Sequence, residues 1–240
     1  MMVRAALRSL AVAATALLAP TAATAAPPVV VSTCGQLVHG IGALAADLDC
    51  STTAGPAVVL ASGARLQLAG FTLTGRDIGV RCELGSCRVN GPGTIQQGGT
   101  PDPNLTFGTQ GIIALRGVKV GDGVVVEGFR LNVEALGPAE VRACTIRNGG
   151  YGVLGFPLRV IDSTLSGHAG PAVQGSSKTP DGIRYRFGAV QVRGSTFTGN
   201  FVDIAAYRRP KVVTTTCTTS DVSTIPFTPF GGGDEWDVCP

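Results

Sequence analysis

Charge is scarce in this 240-residue chain. Asp, Glu, Lys and Arg together make up 15% of it, against roughly 25% in ordinary globular proteins. The formal net charge is +3. Loss of positions 1–26, with Arg4 and Arg8, leaves 17 basic against 16 acidic side chains, a net of +1. So even a balance argues against a general nucleic-acid binder. Beyond position 26 no apolar run is long enough for a membrane helix. There is no C-x-x-C and no Cys/His pairing at ligand spacing, which removes the usual zinc sites, and no metal is expected. Lysine and glutamate are rare. What is abundant is glycine, 34 in all, together with valine and threonine. That mixture favours many short strands joined by tight turns over helices.

Residues 1–26 read as a secretion signal. Arg4 and Arg8 give a positive start, Leu10 to Ala19 an apolar stretch too short to span a bilayer, and "TAATAA" small residues for cleavage near Ala25 or Ala26. The mature chain is long enough for one domain with a sizeable core. The expected organisation is a repeat region over 27–220 with an N-terminal cap, then an irregular capping tail over 221–240. The tail has Phe227, Phe230 and Trp236 among prolines and glycines. Secretion, periplasmic or extracellular, follows from the leader.

A six-residue pattern recurs: an apolar residue, two variable positions, a small or aromatic one, another variable one, and a second apolar residue. It appears as "LAGFTL" from Leu68, "VEGFRL" from Val126, "VRACTI" from Val141, "VIDSTL" from Val160 and "VRGSTF" from Val192, with longer or frayed copies at Val89 and Val213. The second apolar positions are Leu73, Ile95, Leu131, Ile146, Leu165 and Phe197. Most of their spacings fall near a common value, and the two long ones, before Leu131 and before Phe197, contain insertions. A period near ~20 marks a solenoid whose units bury their apolar faces only by stacking. Each motif predicts two short strands bent round a corner, followed by a third such as "DIGVRC", "GIIAL" or "YGVLG". Alternation places Ile78, Val80, Val133, Ala135, Val153, Val173, Val202 and Ile204 inside, and Gly79, Ile113, Glu134, Leu154, Gln174 and Asp203 outside.

The stretch "LAADLDCSTTAGPAVVLASGARLQLAGFTLTG", Leu44 to Gly75, with the units "CTIRNGGYGV" and "STFTGNFVDI", resembles secreted bacterial right-handed parallel β-helix repeat proteins of the pectate-lyase-like superfamily. The resemblance covers roughly Cys34 to Ser220. It implies an all-β fold, a single-stranded right-handed parallel β-helix of about seven or eight short coils. It does not by itself imply a chemistry.

Seven cysteines leave one over. Local pairing gives Cys34–Cys50 closing the N-terminal cap, Cys82–Cys87 flanking "ELGS", and Cys217–Cys239 folding the tail back. Cys144 is then read as a reduced core residue. It lies in a corner column with Phe71, Phe129, Ser163, Ser195 and Cys217, with neighbouring coils ~4.8 Å apart. Neither His39 nor His168 lies in a motif that would activate it as a nucleophile.

Other motifs are weaker. "GGYGVLG" holds G-x-G-x-x-G but is followed by Phe156-Pro157 and a strand, not a helix. "GHAG" at 167–170 is similar to the G-H-G of β-helical polygalacturonases, without that family's aspartates, so His168 reads as a turn residue. "YRRPK" at 207–211 is similar to the R-x-P-x-x-R of pectate lyases, but its last arginine would fall on Val213. Glu134 and Asp203, the acids on the third strands, are expected roughly 14 Å apart, too far to share Ca²⁺ or act as a glycosidase pair. No cofactor is expected; Ca²⁺ would belong only to a lyase. Ile113, Leu115, Leu154 and Phe156 make the third-strand face apolar, which calls for a covering loop or tail, or else for a partner. Long loops at 98–110 and 175–188 rise beside it. Arg184, Tyr185 and Arg186 are expected to join Tyr207, Arg208, Arg209 and Lys211, near Asp181 and Asp203, as a basic, aromatic cluster suited to an acidic glycan. The functional expectation is a non-catalytic exported protein that binds a glycan or cell-envelope component. The alternative is a polysaccharide lyase or glycoside hydrolase acting on an acidic polysaccharide.

Overall fold

The computed structural model describes residues 27–103, 108–178, 185–206 and 209–217, with the strands at 176–178 and 185–187 described by backbone alone. Positions 1–26, read above as a leader, and the whole of the expected tail at 221–240, including Cys239, lie outside these residues.

The described chain is a parallel β-helix. It has 26 short strands, no helix among the described residues, and three sheets in which every pairing is parallel. The first sheet has nine strands: Val29–Val31, Ile41–Leu44, Arg65–Gln67, Cys87–Asn90, Val118–Gly121, Ala139–Arg142, Leu158–Ile161, Val190–Arg193 and Lys211–Val213. The second has seven: Leu48–Cys50, Thr72–Gly75, Gly93–Gln97, Val124–Glu127, Thr145–Arg147, Thr164–Ser166 and Thr196–Thr198. The third has eight: Gln36–Val38, Pro56–Leu60, Ile78–Cys82, Gln110–Ala114, Leu131–Ala135, Tyr151–Leu154, Pro171–Gln174 and Val202–Ala205. From Ile41 onward each full coil visits the sheets in that order. A small antiparallel hairpin, Ser176–Lys178 with Tyr185–Phe187, leaves the coil between the third and first sheets.

The core is a set of columns. In the second sheet Leu73, Ile95, Val126, Ile146, Leu165 and Phe197 stack in register and are fully buried. Burying one such side chain contributes about 1.5–3 kcal/mol. The register corrects the motif reading at one point. "VEGFRL" does not turn from the first sheet to the second but from the second to the third, because Val126 stacks between Ile95 and Ile146. With Val126 in place of Leu131 the spacings on either side become less unequal. The true first corner of that coil is "VGDGV", where Asp122 takes the left-handed backbone (φ 63°) that Ala69, Ala143, Asp162 and Thr214 take in other coils.

The column containing Cys144 changes accordingly. It runs Phe71, Gly93, Val124, Cys144, Ser163, Ser195, Thr215, with Phe129 and Cys217 elsewhere. Cys34–Cys50 and Cys82–Cys87 are disulfides, and Cys144 is free and buried. The Cys217–Cys239 pairing falls on residue 239, outside the described residues.

Candidate functional site

The third-sheet face differs from the alternation expected for it. Its ladders skip the column Gly79, Gly111, Asn132, Gly152, Ala172, and the side chains of this column turn toward the interior. A Cβ on Gly111 would come within 2.6 Å of Val126 Cγ1, and one on Gly152 within 2.2 Å of the Ala172 carbonyl oxygen, so the column is kept small by its surroundings. Asp203 belongs to this column, not to the outward row. The outward row is Val59, Arg81, Ile113, Glu134, Leu154, Gln174 and Ala205. Beside it run Ile78, Gln110, Leu131, Tyr151, Pro171 and Val202. Ile78 and Val202, expected inside, therefore stand on the outer side of the kink.

The middle of this face is buried, while Arg81 towards one end of the row is exposed. Leu131 is 7% and Leu154 8% exposed, yet neither they nor Val202 belong to the core cluster. Glu134, 8% exposed, accepts a hydrogen bond from Gln110 Nε2 at 3.0 Å. The excursion that begins at Gly98 is tied at Asp102 to Asp77, the residue just before the Ile78–Cys82 strand of this sheet. Asp77 accepts from the backbone N–H groups of Gly55 (3.0 Å) and Asp102 (3.1 Å) and pairs with Arg76 at 2.9 Å. Burial opposes the Asp77 charge, but the Arg76 guanidinium and the two N–H donors outweigh it and hold the carboxyl below its ordinary range. The hairpin follows the Pro171–Gln174 strand of the same sheet.

His168 is a buried turn residue, 2% exposed. Its Nδ1 lies 2.7 Å from Asn200 Oδ1, and its backbone N–H donates to the same oxygen at 3.1 Å. A carboxamide oxygen only accepts, so Nδ1 carries the proton. Nε2 then accepts from Asn132 Nδ2 at 3.3 Å, which also donates to the Arg147 carbonyl. Asn200 Nδ2 donates to the Leu165 carbonyl and to Asp203 Oδ1, and Asp203 is 1% exposed. Asn132, His168 and Asn200 thus form an internal polar ladder. Burial lowers the His168 pKa. Among the described residues no three His, Cys, Asp or Glu side chains gather as a metal site.

Of the basic, aromatic cluster, Arg184, Tyr207 and Arg208 lie outside the described residues, and Tyr185 and Arg186 are placed by backbone in the hairpin. Arg209 and Lys211 are exposed, and Lys211 begins the last strand of the first sheet, beside Gln191.

That strand leads to a feature not visible as a motif. On the outer side of the first sheet one continuous row reads Arg65, Arg88, Lys119, Glu140, Arg159, Gln191, Lys211, one residue per coil. The adjacent outward row adds Arg142 and Arg193. Inward positions between the rows are Leu66, Val89, Val120, Val141, Val160 and Val192, all in the core. The strands of this sheet hold seven of the 17 basic side chains that follow position 26 and one of the 16 acids, Glu140; Asp122 and Asp162 sit at the adjoining corner. Glu140 lies 3.7 Å from Lys119 and 3.9 Å from Arg142. The row spans six coil steps, ~29 Å. Along its edge the residues just before the strands, Ser86, Gly117, Pro138, Pro157 and Ala189, are small or flat. With Lys119, Glu140, Arg159 and Gln191 they shape an open groove of about 220 Å³.

Comparison with family models, curated proteins and solved structures found no match to this sequence.

Proposed function

We propose that this chain is an exported β-helix protein of the pectate-lyase-like kind that binds an acidic glycan of the cell envelope without transforming it. The observation that carries this reading is the cationic row on the first sheet. Seven cations against one carboxylate on one face of a nearly neutral protein make a local positive field. Five of the seven are arginines, whose planar guanidinium suits carboxylates. No strand of this sheet carries an aromatic residue, whereas single-stranded nucleic acid is held largely by base stacking on aromatic side chains. Gln67 and Gln191 on the same face offer amide groups to hydroxyls. Export is supported by the apolar leader and by two disulfides, which persist in oxidising compartments.

The test is retention on an acidic-polysaccharide column. The wild-type protein is expected to bind at low salt and to elute as ionic strength passes the physiological range. A protein with Arg88→Ala and Lys119→Ala together is expected to elute early with an unchanged melting curve. Wild-type protein that flows through at low salt would refute the reading. If only the pair Arg208→Ala, Arg209→Ala weakens retention, the site is the 184–211 cluster instead.

A further inference from the structure

The cationic row is not uniform. Reading along it, the charges are three positive (Arg65, Arg88, Lys119), one negative (Glu140), one positive (Arg159), one neutral (Gln191) and one positive (Lys211). Glu140 is held at the centre. Its side chain is partly buried, lies between Lys119 and Arg142, and forms one wall of the groove that runs beside the row. A polymer lying in that groove meets one row residue per coil, because the groove crosses successive coils at the row's own spacing.

We infer that Glu140 is a specificity-determining residue, which lowers the affinity of this face for a linear glycan charged at every unit relative to one that carries carboxylates only at intervals. The inference rests on the reading of the first sheet as a glycan-binding face. A fully charged chain must place a carboxylate against Glu140, where like charges repel, and must also compete with Glu140 for Lys119 and Arg142. A chain with neutral units at this point presents hydroxyls instead, and a hydroxyl donates a hydrogen bond to a carboxylate. Gln191, two coils further on, tolerates either kind of unit, since its amide both donates and accepts. Lys119 and Arg159 flank Glu140 and hold the charged units on either side. The alternative role for Glu140 is only to relieve repulsion among the cations, which would alter stability but not preference.

The test uses the full chain and two probes: polygalacturonate with all carboxylates free, and the same polymer partly methyl-esterified. Binding of each to wild type, Glu140→Gln and Gln191→Glu is measured by titration calorimetry at low salt, with melting curves as controls. Glu140→Gln is expected to strengthen binding of the fully charged polymer about three- to fivefold, the size of one exposed charge interaction, and to leave the esterified polymer within about twofold. Gln191→Glu, which adds a second carboxylate to the row, is expected to weaken binding of the fully charged polymer more than that of the esterified one. Equal changes on both polymers, or none, with wild type still binding, would overturn the role of Glu140 and leave the glycan-binding face intact. If neither polymer binds wild type or Glu140→Gln, the binding face itself is wrong and the inference falls with it.

Discussion

Cys144, Ser163, Ser195 and Thr215 make the same bond: each side chain donates to the carbonyl two positions before it, at 2.7 to 3.1 Å. Ser163 and Ser195 also accept the N–H of the coil before them. Cys144 is therefore the sulfur member of a hydroxyl ladder. Cys144→Ser is expected to keep the fold within about 1 kcal/mol, because the serine can make the bond its neighbours make. Burial raises the Cys144 thiol from 9.0 to about 12. A raised folded value means stability is full below the ordinary thiol value and is lost as pH rises toward the folded one. Denaturant titrations should show that loss in wild type and a smaller one in Cys144→Ser, and a thiol reagent near neutral pH should label Cys144 only after unfolding. His168 works in the opposite direction. Protonating Nε2 would set two donors, its own N–H and that of Asn132, against each other. Its folded pKa lies below the ordinary value of 6.5, so stability is full above that value and falls as pH drops below it. His168→Ala should cost about 2–4 kcal/mol, since it leaves a void and strips partners from Asn132 and Asn200, and should remove that acid limb.

Among the elements, the third sheet shows how a strand can be buried on both faces without belonging to two cores. Leu131 and Leu154 are buried on the outward side of this sheet, apart from the inward columns of the core. Leu154→Asp is accordingly expected to lower the melting temperature by about 5 °C or more, as a charge placed at a buried position does. An unchanged melting curve would mean that the face is open and available to a ligand. The kinked column from Gly79 to Asp203 explains why alternation fails there. Two consecutive residues turn inward, so every position before the kink changes face. Nothing in "DIGVRC" or "NVEAL" marks that kink. It becomes visible only when Gly79, Gly111 and Gly152 are seen stacked against carbonyls of the next coil.

Taken along its full length, the solenoid turns a nearly neutral sequence into a rod with one positive side. Each coil adds one position to each row, so charge accumulates along the axis while the total stays small. Binding through such a side should depend steeply on salt but little on the third sheet. Ile113→Ala should therefore leave glycan retention unchanged while Arg88→Ala with Lys119→Ala removes it. The reverse result would move the site to the third sheet.

Local chain order was enough to read most of the short strands, the coil repeat outside "VEGFRL" and two of the disulfides, and it left Cys144 as the cysteine with no local mate, because strands, turns and near pairings depend on residues close together in the chain. Alternating valines, corner residues and cysteines 5 or 16 positions apart carry their own geometry. The cationic row was beyond that reach. Arg65, Arg88 and Lys119 are unequally spaced, and the coils differ in length because of excursions such as those at 98–109 and 175–188. No fixed period links them. Only the hydrogen-bonded register between parallel strands brings these side chains onto one line, and it does so because the inward valines beside them must stack.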